Sequence, residues 1–353
     1  MRRAALLGIL LLASLLVATP AYADGPFTLW VSTSGSDAND GTQAAPVLTL
    51  ARVQNILRDV EPTTDVEVRI NQGTYSAPQT TWDFYIPGHT ITFMPHDYEY
   101  GEGVSGIAGR PVFASSTGVG WWLNVMLPAG STGMDTGLRF YYLQVEGYMK
   151  GGVIVQGRHH DVGGFRVPDG SGANGNTFFG MVFRRMGSVW VSGAGMGYGG
   201  IVLENSSGNS IRNSHFLNLE NLAPDGPHIH GVYVEHGSTG NDIGSNNFKW
   251  INGGPMRTRN LADDNDVHDN RFERVLQAGY SEWYCNELCV SNNPGALLEC
   301  PSQGNVFHDN TIISDYAGGP LDEWELYPDP GVWDEGPTRC GALLTPRVTT
   351  YGN

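Results

Sequence analysis

The chain has 353 residues, only 16% of them charged, with 48 glycines and a formal charge of −16. An acidic surface of this kind excludes nucleic-acid binding by phosphate neutralisation, the electrostatic contribution on which that class depends. It leaves an acidic polysaccharide open, because a local basic strip or a bound cation reverses the field inside a cleft.

The N-terminus reads as a secretory signal peptide over residues 1–23. Arg2 and Arg3 precede an uncharged apolar run from Ala4 to Val17, and Ala21-Tyr22-Ala23 supplies a small-x-small cleavage site. Cleavage there starts the mature chain at Asp24 and, with two arginines gone, takes the charge from −16 to −18. No second run reaches spanning length, so the expectation is an exported monomer with no membrane partner.

Residues 24–60 read as an N-terminal cap. LWVSTSGSDANDGTQAAPVLTLARVQNIL holds a strand, a Gly/Asp/Asn loop and one amphipathic helix. Leu50, Val53, Ile56 and Leu57 share one face of that helix, which predicts a single buried stripe. A helix here would cover an open sheet end that otherwise templates aggregation. Strand candidates follow at 66–70, 90–94, 110–114, 138–145 and 152–157.

From residue 175 a repeat emerges. GNTFFGMVF, GNSIRNSHF, GNDIGSNNF, DNDVHDNRF and GNVFHDNTI each read Gly/Asp-Asn-x-apolar, and four of the five carry Asn or Ser at the seventh place. The leading asparagines are Asn176, Asn209, Asn241, Asn265 and Asn305, at intervals of 33, 32, 24 and 40. Short strands, polar turns and a recurring Asn predict a β-solenoid, with 24 residues as one bare coil and longer intervals carrying loops. An Asn stacked on its copies satisfies backbone groups that the turn leaves unpaired. A β-sandwich with Asn-rich hairpins is the rival, and it has no reason to keep such a register.

These coil motifs, together with VSTSGSDANDGTQAAPVLTL, resemble the secreted right-handed parallel β-helix proteins of the pectate-lyase-like superfamily. HGVYVEH, PMRTR and YSEWYC are similar to a bacterial subgroup mostly without assigned function. The resemblance implies an all-β right-handed parallel β-helix, with coils over 61–315 and a capping tail over 316–353. It implies no single activity, since the superfamily holds lyases, hydrolases, isomerases and adhesins.

Superimposing Asn241 on Asn265 sets an offset of 24 between neighbouring coils. Tyr233 then lies beside Arg257, Glu235 beside Arg259, Val232 beside Met256 and Val234 beside Thr258. Strand alternation turns the valines and Met256 inward and the tyrosine, acid and arginines outward. One more step sets Ser281 beside Arg257 and Trp283 beside Arg259. It points Glu282 inward, where a carboxylate is costly, unless a one-residue slip brings it out. Glu204 of the preceding coil falls near His236 at an offset of 32.

The candidate catalytic set is therefore His230, Tyr233, Glu235, His236, Arg257, Arg259 and Glu282, with Asp225, His228, Ser281 and Trp283 as substrate-binding candidates. In β-elimination the arginines neutralise a uronate carboxylate, and Tyr233, with its pKa lowered by Arg257, or the histidines move protons. A glycoside hydrolase would instead use Glu235 with Glu282 or Asp225. Glu235 is awkward as the acid, because Arg259 lowers its pKa. A non-catalytic glycan-binding protein is the third reading.

The remaining polar clusters have structural readings. His268 and His308 occupy one place in their repeats and read as turn residues. The pair His159 and His160 also reads chiefly as a turn. Asp263, Asp264, Asp266 and Asp269 could bind Ca²⁺, although two of them flank the turn Asn. Asp37, Asn39 and Asp40 are similarly ambiguous. Trp121 and Trp122 and the acidic tail LDEWELYPDPGVWDE could stack on sugars. Cys285, Cys289, Cys300 and Cys340 predict two disulfides in an oxidising compartment, with three pairings open.

Overall fold

The computed structural model describes residues 25–99, 109–118, 120–193, 195–326 and 340–353. The expected signal peptide and part of the acidic tail lie outside them.

Three long sheets run the length of the molecule. Sheet A has ten strands, from Phe27–Val31 to Val348–Tyr351, and sheets B and C have eight each. Within each sheet every strand pairs in parallel with the one a coil away, as a β-helix requires. A parallel crossover winds right-handed, so the chain is a right-handed parallel β-helix. The segment 138–145, read from sequence as one strand, is two: Leu138–Tyr141 in sheet A and Gln144–Glu146 in sheet B. The corner between them is Tyr142, with φ at 54°.

The asparagine register is a hydrogen-bond ladder. Asn176, Asn209, Asn241 and Asn265 each donate backbone N and Nδ2 to the Oδ1 of the next rung, ending on Asn305. The seventh-place residues make a second ladder, in which Ser214, Asn246 and Asn270 donate backbone N to Asn246, Asn270 and Asn310. Each rung satisfies buried turn amides that no strand reaches. His268 and His308 stack at 5.4 Å on the outside of these turns, each bonded to an aspartate, which is the turn role their repeat position implied.

Inside the coils, Phe183, Phe216, Phe248 and Phe272 stack at 4.9–5.3 Å. Glycines on sheet C make room for them. A Cβ on Gly200 would stand 2.5 Å from Phe216, and one on Gly231 2.4 Å from Phe248. Gly200→Ala is therefore expected to destabilise by about 1–3 kcal/mol through overpacking, measured by denaturant unfolding.

Helix α1 (Leu50–Val60) is capped by Thr49, whose side chain accepts from the Arg52 amide. Leu50, Val53, Ile56 and Leu57 are all buried in the main core, as their spacing predicted. Gln54 ties the helix to the first coil through Thr81 and Asp83. Asp37 accepts from the Leu48 and Thr49 amides and from the Thr49 hydroxyl, so this acid organises the helix entry.

At the other end the described parts of the tail pair with the coils. Asp322–Leu326 pairs with Ala278–Trp283, and Val348–Tyr351 pairs with Asn305–His308, so the tail adds strands to the coils. The disulfides are Cys285–Cys289 and Cys300–Cys340. Among the described residues no helix is long and apolar enough to cross a membrane.

Candidate functional site

The outward face of sheet C carries the candidate site. Tyr233 pairs with Arg257, Glu235 with Arg259, Arg257 with Ser281 and Arg259 with Trp283, in the register the sequence predicted. His228, His230, Tyr233, Arg257, Arg259 and Trp283 line one pocket of about 290 Å³, walled also by Met196 and Tyr198 from the preceding loop. Ser281 is fully buried beneath it and accepts from Arg257 Nε at 3.1 Å. Arg257 also donates to Gln277.

His230 hydrogen-bonds the Gly254 carbonyl through Nδ1 at 2.7 Å. That bond fixes the proton on Nδ1 and leaves Nε2 as the acceptor. Burial, with the Arg257 charge behind it, pushes its pKa well below the usual 6.5, so the ring is neutral. Its centroid lies 4.7 Å from that of Tyr233.

Tyr233 corrects an expectation. Burial raises its phenol well above 10, although Arg259 and Arg257 pull it down. The ring ends an apolar outer-face row of Trp121, Ile154 and Val202, with Val202 its neighbour in register. Desolvation of the phenolate outweighs the two cations, so Tyr233 is a neutral proton donor. Arg259 Nη1 donates to its oxygen at 3.3 Å.

Behind the pocket lies an ion-pair network. Burial opposes ionisation of Glu235, but His236 together with Arg259 and Arg166 prevails and holds its carboxyl at about 2. Arg259 makes a two-pronged pair with Glu299, both bonds at 2.7 Å, and lies 4.3 Å over the Trp283 ring. Arg166 reaches the same Glu299 at 3.3 Å. The stabilising charge on Glu235 is present above its ordinary value of 4.5 and is lost as pH falls towards 2. Glu235→Gln should remove the part of acid unfolding that lies in this window, read as a flatter stability–pH curve between those values.

Not every candidate reaches the pocket. Glu282 keeps the inward register, with no slip. It is fully buried, accepts from the Ser302 amide at 2.6 Å and pairs with Arg347. Those partners offset the cost that argued for turning it outward. His236 sits behind Glu235, with Nε2 at 3.2 Å from that carboxylate and Nδ1 at 3.1 Å from Asn260. Asp225 precedes the short turn Gly226–His228 without a side-chain cap bond and lies outside the pocket lining. Glu204 pairs with Glu235, not with His236. Trp122 is core, whereas Trp121 faces outward beside Tyr198.

Four contributors lie outside the candidate set read from the sequence. Arg166 and His159 arrive on an antiparallel hairpin, His159–Val162 with Phe165–Pro168, which docks on Leu298 through backbone bonds at 2.8 and 2.9 Å. His159 lies 5.2 Å from His236 and 3.3 Å from Glu204, so it joins the ion-pair network behind the pocket. Glu299 comes from the loop after helix α2 (Glu287–Asn292). Glu325 pairs with Ser281 one strand beyond the arginines, and burial raises its carboxyl. Only the last had a legible signal, because it extends the Tyr233–Arg257–Ser281 row.

Asp263 accepts from the Gln303 amide, Asp266 pairs with His308, and Asp269 with His268. Among the described residues, no group of three or more His, Cys, Asp or Glu is arranged to hold a metal ion.

No protein-family model matches the chain, and no curated protein does. Solved structures do. A rhamnogalacturonan lyase is 16% identical at a TM-score of 0.43, covering 82% of this chain and 70% of that one. The pectate lyase Pel9A is 15% identical at 0.43, over 81% and 64%, so the chain spans about two thirds of that enzyme. A pectin methylesterase from Aspergillus niger is 12% identical at 0.43, over 94% and 86%. By its own strand order the chain is a right-handed parallel β-helix.

Proposed function

We propose that the protein is a secreted polysaccharide lyase that cleaves a uronate-containing glycan by β-elimination. The observation that carries this reading is the single pocket holding a neutral imidazole, a neutral phenol and two arginines. His230 Nε2 takes the C5 proton. Arg257 and Arg259 offset the uronate charge as it spreads onto the carboxylate. Tyr233 donates its proton to the leaving oxygen, and since both groups stand on one wall the elimination is syn. Met196, Tyr198 and Trp283 wall the pocket in which the reacting bond would lie.

The hydrolase reading fares worse on geometry. Glu235 and Glu282 lie on opposite faces of sheet C, so they cannot flank one bond. Glu325 has the raised pKa of an acid, but it sits three strands from Glu235, roughly 14 Å at about 4.8 Å per strand. Paired glycosidase carboxyls stand about 5–9.5 Å apart.

The test is a panel of uronate-rich and neutral polysaccharides, following reducing ends together with the ultraviolet absorbance of an unsaturated uronate, with and without chelator. Both signals on a uronate polymer are expected. Reducing ends without absorbance would replace elimination by hydrolysis, and binding without cleavage would make this a glycan-binding protein. Because the His230 pKa is depressed, the acid limb of kcat/KM should lie below pH 6.5.

A further inference from the structure

A second surface strip lies on sheet B. At the outer bend of four successive coils one residue per strand leaves the ladder in the left-handed region: Arg185, Asn218, Trp250 and Arg274, with φ of 53°, 57°, 58° and 57°. Asn tolerates this conformation through its short polar side chain, whereas Trp and Arg are strained in it. Core packing does not account for them. Trp250 is 37% exposed and Arg185 is exposed.

Neighbouring loops complete the strip. Tyr316 meets Trp250 edge-on at 5.9 Å, and the Arg274 guanidinium lies 5.4 Å over the Trp250 ring. Glu220, only 7% exposed, accepts from Trp190 Nε1 at 2.8 Å and from the Tyr316 hydroxyl. One buried carboxylate therefore sets the pose of two surface aromatics. Among the described residues no carboxylate pairs with the guanidinium of Arg185 or Arg274. The nearby acids are engaged elsewhere: Glu273 with Lys249 and Arg271, Glu146 with Arg184, and Asp315 on the Gly318 and Gly319 amides.

We propose that Arg185, Trp250 and Arg274, flanked by Trp190 and Tyr316, bind a stretch of acidic polysaccharide outside the catalytic pocket. Aromatic faces fit the apolar faces of sugar rings, and unpaired guanidinium groups on an otherwise acidic protein fit carboxylates along the same chain. Two stretches of chain link the strip's residues to those of the pocket. The loop 187–198 carries Trp190 at one end and Tyr198 at the other, and the loop 220–229 joins Glu220 to His228. A glycan crossing the corner between sheets B and C would occupy both. The ligand class rests on the elimination reading, while the residues are separate from its machinery.

The test is electrophoresis of the full mature protein through gels containing polygalacturonate, alginate or a neutral glucan, at low and high salt. The wild type should be retarded by a uronate polymer, less so at high salt, and not by the neutral glucan. Trp250→Ala with Arg274→Gln should weaken that retardation about tenfold, the loss expected for removing a hot-spot pair. Arg274→Gln alone, which keeps the stem, should lose the salt-sensitive part, and Tyr233→Phe should be retarded like the wild type. Unchanged retardation of the double variant, equal retardation by neutral glucan, or no retardation of the wild type would overturn the strip. Retardation that depends on Trp250 and Arg274, without cleavage of any uronate polymer, would overturn the elimination and leave the strip standing.

Discussion

Replacing Tyr233 by Phe is expected to lower kcat by about 10²–10⁴-fold with little change in KM, the span usual for removing a general acid. The ring ends the apolar row of Trp121, Ile154 and Val202, so deleting the hydroxyl leaves its packing intact. The hydroxyl is the only part of the side chain that Arg259 touches by hydrogen bond, at 3.3 Å. An unchanged melting temperature with the activity gone would assign the proton to Tyr233. An active Tyr233→Phe variant would sink its role as acid. The readout is kcat and KM on the best polymer of the panel, with thermal unfolding as the folding control.

The largest stability effect should follow Glu299→Ala. This side chain is fully buried, pairs with Arg259 and Arg166, and accepts from the Cys285 amide. Its loss strands two guanidinium groups at a wall where water cannot fully compensate them. Breaking one side of such a buried pair costs about 3–5 kcal/mol. Glu299→Gln keeps the shape and the amide's acceptor, so it should cost less. Denaturant unfolding of both variants checks this, and an Ala variant within about 1 kcal/mol of wild type would mean that the network is solvent-relaxed. Activity should fall with stability in the Ala variant, because Arg259 also bonds Tyr233.

A solenoid writes its register into its sequence, and here that made half of the site legible. Aligning Asn241 with Asn265 was enough to set Tyr233 beside Arg257 and Glu235 beside Arg259, because each coil repeats the last one strand spacing away. The same logic set Ser281 and Trp283, and it pointed Glu282 inward. The slip entertained for Glu282 does not occur, since Ser302 and Arg347 supply what the buried carboxylate needs. Those partners lie 20 and 65 residues away and belong to no repeat.

The sequence by itself determined the parallel coils, the Asn ladders, the amphipathic first helix and the row of outward residues, all properties of short periodic segments. Tertiary structure alone decided what the loops do. The hairpin carrying Arg166, the loop carrying Glu299 and the Cys300–Cys340 link have no period to align, and their docking rests on contacts distant in sequence. The protonation states followed from the same source. Proximity to Arg257 argued for an acidic tyrosine, but the apolar row on sheet C removes water from the phenol, and desolvation outweighs the neighbouring charge. Spacing fixes which residues are neighbours, while burial, which fixes their chemistry, is a property of the whole fold.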